Sequence, residues 1–145
     1  MIATKTRATK CFMLDQMFAP PPRTADLLPE EAALVSATRK WVMAQRVARV
    51  CPIHAAAQQL GSLKAARSLH VLLAHVGASW PDAVAVAPPC CPVLTHDEAT
   101  LLGMVIAANR HTRPVFDALT CEMLGQAARD RLHDAAVELG RLIDL

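Results

Sequence analysis

Two thiols stand side by side in the run Ala87-Pro88-Pro89-Cys90-Cys91-Pro92, and Thr95-His96-Asp97-Glu98 follows at once. Neighbouring residues of an extended segment point to opposite sides. A disulfide between Cys90 and Cys91 would therefore close a strained, easily reduced ring, the kind of bond that reports redox state. The same pair of thiolates also suits a soft or borderline cation such as Zn²⁺ or Cu⁺. A second pair, Cys51-Pro52-Ile53-His54, places a thiol and an imidazole on neighbouring turns at the start of a short helix. If the fold brings the two segments together, Cys90, Cys91, Cys51 and His54 complete a Cys₃His tetrahedron for a zinc or copper ion. The plain alternative is that one thiol packs in the core and the other is incidental. Cys121 falls on the less apolar side of its helix and Cys11 in a leading arm, so both read as lone thiols.

The other polar residues carry less. His70 and His75 lie about 140° apart around a helix and do not converge on one ion. His70 borders an apolar face, as a hydrogen-bonded histidine at the core edge would. His96, Asp97 and Glu98 offer acid–base or ligand groups, but acids in a first helical turn are ordinary dipole capping. There is no Gly-x-Ser-x-Gly and no phosphate-cradling glycine loop, and the chain has five glycines in all. No catalytic residue is assigned, and the chain reads as a binding or regulatory protein rather than an enzyme. Ala57, Gly61 and Ser62 have the spacing of a helix-turn-helix. Arg67 and His70, however, occupy positions where that motif packs apolar side chains, and its basic residues do not cluster. DNA binding is thus the weakest of the readings, and nucleic acid is not an expected partner.

These residues must be positioned by helices. Aromatic residues make up 3% of the 145-residue chain, Tyr is absent, and Ala and Leu dominate, which favours helix over strand. The length suits one domain that buries enough surface to fold without staples. The net charge of +2 hides a polarity: residues 1–80 hold ten Lys/Arg against four Asp/Glu, residues 81–145 five against nine. That polarity either steers an acidic partner to the first half or draws the halves together within one fold. The odd count of five cysteines argues against a secreted disulfide scaffold. Asp15 breaks the apolar run after the basic start, so no secretory leader is expected. No stretch reaches the ~20 apolar residues of a membrane span. A cytoplasmic setting follows as the expectation.

Residues 1–25 read as a basic, proline-rich arm, with Phe12, Met13, Met17 and Phe18 able to dock as one short turn. Residues 26–145 read as a single all-α domain of five or six helices. Pro29-Glu30-Glu31 opens a helix to about Val50. Pro52 to Leu60 forms a short one, closed by Gly61, and Ser62 caps a third from Leu63 to Val76, ended by Gly77. Residues 77–92 form the long non-helical stretch. Thr95 and Glu98 make a capping box for a largely buried helix to Arg110. Pro114 starts a helix to about Gly125, and the last spans about Ala127 to Ile143.

From Pro88 onward the chain resembles an uncharacterised family of small helical bacterial proteins, a domain of unknown function. The carrying residues are Ala87-Pro88-Pro89-Cys90-Cys91-Pro92 and Asp97-Glu98-Ala99-x-Leu101-Leu102, with two Ala/Leu-rich helices after them. The resemblance implies a helical fold and draws attention to Cys90 and Cys91, but brings no activity. Two functional expectations result. One is an accessory or regulatory protein whose Cys90-Cys91 loop binds metal or senses redox state. The other is a helical module with ordinary cysteines that binds another protein through an Ala/Leu helical face, the helix at 29–50 and the Phe/Met arm being the exposed-apolar candidates.

Overall fold

The computed structural model describes residues 20–145. Among the described residues six α-helices follow one another: α1 (Pro29–Gln45), α2 (Pro52–Leu60), α3 (Leu63–Ser79), α4 (His96–Arg110), α5 (Arg113–Thr120) and α6 (Gln126–Leu142). A 3₁₀ turn at Thr24–Asp26 precedes them. Among the described residues the only β pairing is an isolated antiparallel bridge between Arg23 and Val93. The chain is thus an all-α bundle with a proline-rich loop between α3 and α4. No helix among the described residues is long and apolar enough to cross a membrane.

Local chemistry sets the helix ends. Leu28, held extended before Pro29, donates its amide to the Glu31 carboxylate at 3.1 Å and starts α1. The helix stops at Gln45 rather than at Val50. Residues 46–50 tighten into successive turns, Arg46 N–H to Met43, Val47 N–H to Ala44 and Val50 N–H to Val47. Val47 and Val50 are exposed there, so a longer helix would have no face to bury, and packing supplies most helical stability. Gly61 closes α2 with φ +68°, the left-handed conformation that favours glycine. The Ser62 hydroxyl then accepts from the Ala65 amide and caps α3. Gly77 does not end α3. The helix runs through it to Ser79 and stops because Pro81 forces Trp80 into extended backbone (φ −65°, ψ 137°). Helix α5 likewise ends at Thr120, where the amides of Met123 and Leu124 both return to its carbonyl.

Helix α3 packs on α2 and α6, α6 on α4, and α1 on α2, with narrower contacts from α1 to α3 and α4. Leu34, Leu69, Met104, Val105, Phe116, Leu132 and Leu139 lie in the common core. Leu101, Leu102, Met104, Val105 and Ala107 are all buried, so α4 is covered on most sides, as its sequence indicates. At the α4–α6 crossing Asn109 donates to Val105 O and Ala136 O at 2.8 and 2.9 Å. A Cβ on Gly140 would overlap that carboxamide, so glycine permits the approach.

Cys11, Phe12, Met13, Met17 and Phe18 of the N-terminal arm lie outside the described residues. The end of that arm is tied to the cysteine loop. Thr24 N–H donates to Pro92 O and Leu94 N–H to Pro22 O, each at 2.9 Å.

Candidate functional site

The Cys90-Cys91 loop is held from beneath by a buried ion pair that joins α1 to α4. Arg39 donates from Nε to Glu98 Oε1 at 2.7 Å and from Nη2 to Glu98 Oε2 at 3.0 Å. Both side chains are almost fully enclosed, at 2% and 1% exposure. Such a pair is tolerated only if its remaining polar atoms are satisfied. They are satisfied by the loop. Arg39 Nη1 donates to Cys91 O at 2.7 Å and Nη2 to Val93 O at 3.1 Å. Glu98 Oε1 accepts the Ala87 amide at 3.1 Å, and Oε2 the Thr95 amide at 2.9 Å. The hydrogen bonds that Arg39 donates to Glu98 raise the Arg39 pKa above its ordinary value, outweighing the opposing effect of burial.

Further bonds fix the rest of the loop. The Asp97 carboxylate accepts the Ala85 amide at 2.7 Å, and the Thr95 hydroxyl donates to Ala85 O at 2.6 Å. Alternate amides, Ala85 and Ala87, thus turn toward the start of α4, as period-two extended chain requires. Cys91 N–H returns to Pro88 O at 3.0 Å and closes a turn over Pro89-Cys90. Cys90 stands exposed at that turn. Cys91 is half-buried, and its thiol donates to Val93 O at 3.3 Å.

The structure does not bring Cys51 and His54 together with Cys90 and Cys91. Among the described residues no three His, Cys, Asp or Glu side chains gather as a metal-holding group, so the Cys₃His tetrahedron for zinc or copper is not assembled. Cys51 and His54 sit exposed at the start of α2, while the ion pair ties the Cys90-Cys91 loop to α1 and α4. The backbone at Cys91 is fixed at both amide and carbonyl. His70 accepts from Trp41 Nε1 at 3.1 Å, the core-edge bond expected of it.

The pairing of Arg39 with Glu98 carries no expectation from sequence. The Thr95 capping box is present, with Glu98 N–H donating to Thr95 Oγ1 at 3.1 Å. Yet Glu98 does more than cap. Arg39, which the helical wheel groups with Arg46 and Arg49, is buried instead of solvated. The available signal was apolar company: Val35 and Val42 flank Arg39 on its face, and Leu101 and Leu102 follow Glu98 at i+3 and i+4.

Over the ion pair lies a cleft of about 130 Å³ between the end of α1 and the loop. Arg39, Val42, Met43 and Arg46 form one wall, and Val86, Ala87, Pro88 and Pro89 the other. That volume is well below the ~300–1,000 Å³ of small-molecule and cofactor pockets; it suits one or two side chains. Met43, Val47 and Val50 extend the apolar surface along the last turn of α1 and beyond, each about half exposed. No family model matches this chain, and no similar curated protein or solved structure is found.

Proposed function

We propose that this chain is a helical protein–protein interaction module, and that its recognition surface is the face formed by the end of α1 and the proline–cysteine loop. The observation that carries this reading is the combination of a rigidly anchored loop, a side-chain-sized cleft and adjoining exposed apolar residues. A binding face gains affinity when it is ordered before its partner arrives, and the Arg39–Glu98 pair orders this one. Met43, Val47 and Val50 are large apolar residues left in solvent beside it, a pattern that marks interaction sites. The four described cysteines are free thiols, which suits a reducing compartment such as the cytoplasm. On this reading Cys91 belongs to the scaffold of the loop, and Cys90 to its surface.

The test is site-specific photo-crosslinking in cells, with the photoreactive residue placed at Met43 and, as control, at the exposed Gln58. A discrete adduct from position 43, identified by mass and competed by wild-type protein but not by Met43→Asp protein, is the expected result. Equal adducts from positions 43 and 58, or competition that ignores Met43→Asp, would overturn the proposal.

A further inference from the structure

The walls of the cleft say more about its occupant, on the premise that this face binds a protein. Residues 85–87 lie outside any helix, and their alternate amides, as in an extended chain, are used inward, on Asp97 and Glu98. Val86 lies between those two, so its N–H and C=O face the opposite edge. Among the described residues neither group takes a hydrogen bond, and the Val86 residue lines the cleft. An unpaired backbone edge beside an apolar slot is the recognition device of strand addition, in which main-chain bonds give affinity and pockets read alternate side chains.

Charge selects the chemistry of the added strand. Arg39 is neutralised by Glu98, but Arg46, exposed at the cleft, has no carboxylate partner among the described residues. Arg49 nearby in sequence is likewise exposed and unpaired among them. Among the described residues no acid lines the slot. A basic occupant would meet uncompensated like charge, whereas an acidic one is complemented.

We infer that the cleft receives an extended acidic segment of another protein. Its backbone pairs with Val86, one apolar side chain enters between Val42, Met43 and Pro88, and a carboxylate meets Arg46. Successive strand side chains face opposite sides, so an apolar anchor and a carboxylate that both face the cleft stand two positions apart, as in Leu-x-Asp.

The experiment uses the whole chain, isotopically labelled, with the capped hexapeptide Thr-Leu-Thr-Asp-Thr-Asp as probe and the same peptide with Lys in place of Asp as control. The expected result is a saturable shift of the Val86 amide and the Met43 methyl with the acidic peptide alone. Arg46→Glu should weaken that binding about tenfold at low salt and admit the lysine peptide. Binding of both peptides alike, binding indifferent to Arg46→Glu, or shifts confined to other surfaces would overturn the inference. So would a concentration-dependent dimer seated on this face, which makes a second copy the occupant. If the Met43 crosslink survives while the acidic peptide fails, only the choice of partner falls; if both fail, the interaction reading falls with it.

Discussion

Glu98→Gln replaces one oxygen by NH₂ and removes one charge. In the native protein each Glu98 oxygen accepts two N–H groups, Oε1 from Arg39 and Ala87, Oε2 from Arg39 and Thr95. Whichever way the carboxamide turns, its nitrogen faces two donors. Arg39 keeps its charge in a site where it is 3% exposed. Breaking a buried pair by removing one partner costs about 3–5 kcal/mol. For a domain of this size that is a fall of roughly 6–20 °C in Tm, a large share of the ~5–15 kcal/mol that holds typical domains together. Urea denaturation followed by circular dichroism measures the change. A second arm uses Arg39→Met, alone and with Glu98→Met. The double variant orphans no charge, so it should cost less than the two single Met changes summed, by about 2 kcal/mol or more. A loss below about 1 kcal/mol for Glu98→Gln, or strict additivity of the Met changes, would refute the claim that this pair anchors the loop.

Four further outcomes follow from the same geometry. Iodoacetamide at neutral pH should label Cys90 before Cys91, since one thiol is exposed and the other half-buried and bonded to Val93; equal rates by peptide mass mapping would contradict the turn. Thr95→Ala removes both the α4 cap and the bond to Ala85 and should cost about 1–2 kcal/mol in the same denaturation assay. Gly140→Ala should destabilise by about 1–3 kcal/mol through overlap with Asn109, and Asn109→Ala should restore most of that loss, as helix-favouring alanine then fits. The hydrogen bond from Arg113 holds the Asp130 carboxyl below its ordinary range. Its contribution to the α5–α6 contact is therefore present above the ordinary Asp value of about 3.9 and lost only as pH falls through the lower folded value. Arg113→Met should move the Asp130 titration, followed by carbon-detected NMR, upward.

Sequence legibility divides along the range of the interactions. Ser62, Gly61, Thr95 and the proline starts of α1 and α2 act on residues within a turn, so they could be read directly, and the all-α architecture with them. His70 was legible for the same reason: its place on the α3 wheel puts it at the core edge. Gly77 misleads because a glycine inside a helix costs only about 1 kcal/mol, and the real stop lies at Pro81, acting through Trp80. The end of α1 misleads because Val47 and Val50 have apolar side chains that the fold leaves in solvent. Arg39 and Glu98 lie 59 positions apart, beyond any periodicity. Each resembles a common surface residue, a helix-face cation and a first-turn acid. Their mutual burial becomes visible only when α1 and α4 meet. The same limit applied to Cys51 and His54, whose ligand-like spacing carried no information about where the loop at 90–91 would lie.

The anchorage of the cleft has a temporal side. Thr24 reaches Pro92 across 68 positions, and Arg39 reaches Glu98 across 59. Helices α1, α2 and α3, by contrast, meet their neighbours through short connections, and such local contacts close with a smaller entropic cost. During synthesis, helix α1 is made well before Glu98 has been added. One wall of the cleft then exists without the other, and Arg39 has no counter-ion. The second wall settles only after the first turn of α4 is made, and none of Val86, Ala87, Pro88 and Pro89 is buried to keep it closed. On the proposed interaction reading, a partner that reads both walls would engage finished molecules and pass over nascent, truncated or partly opened ones.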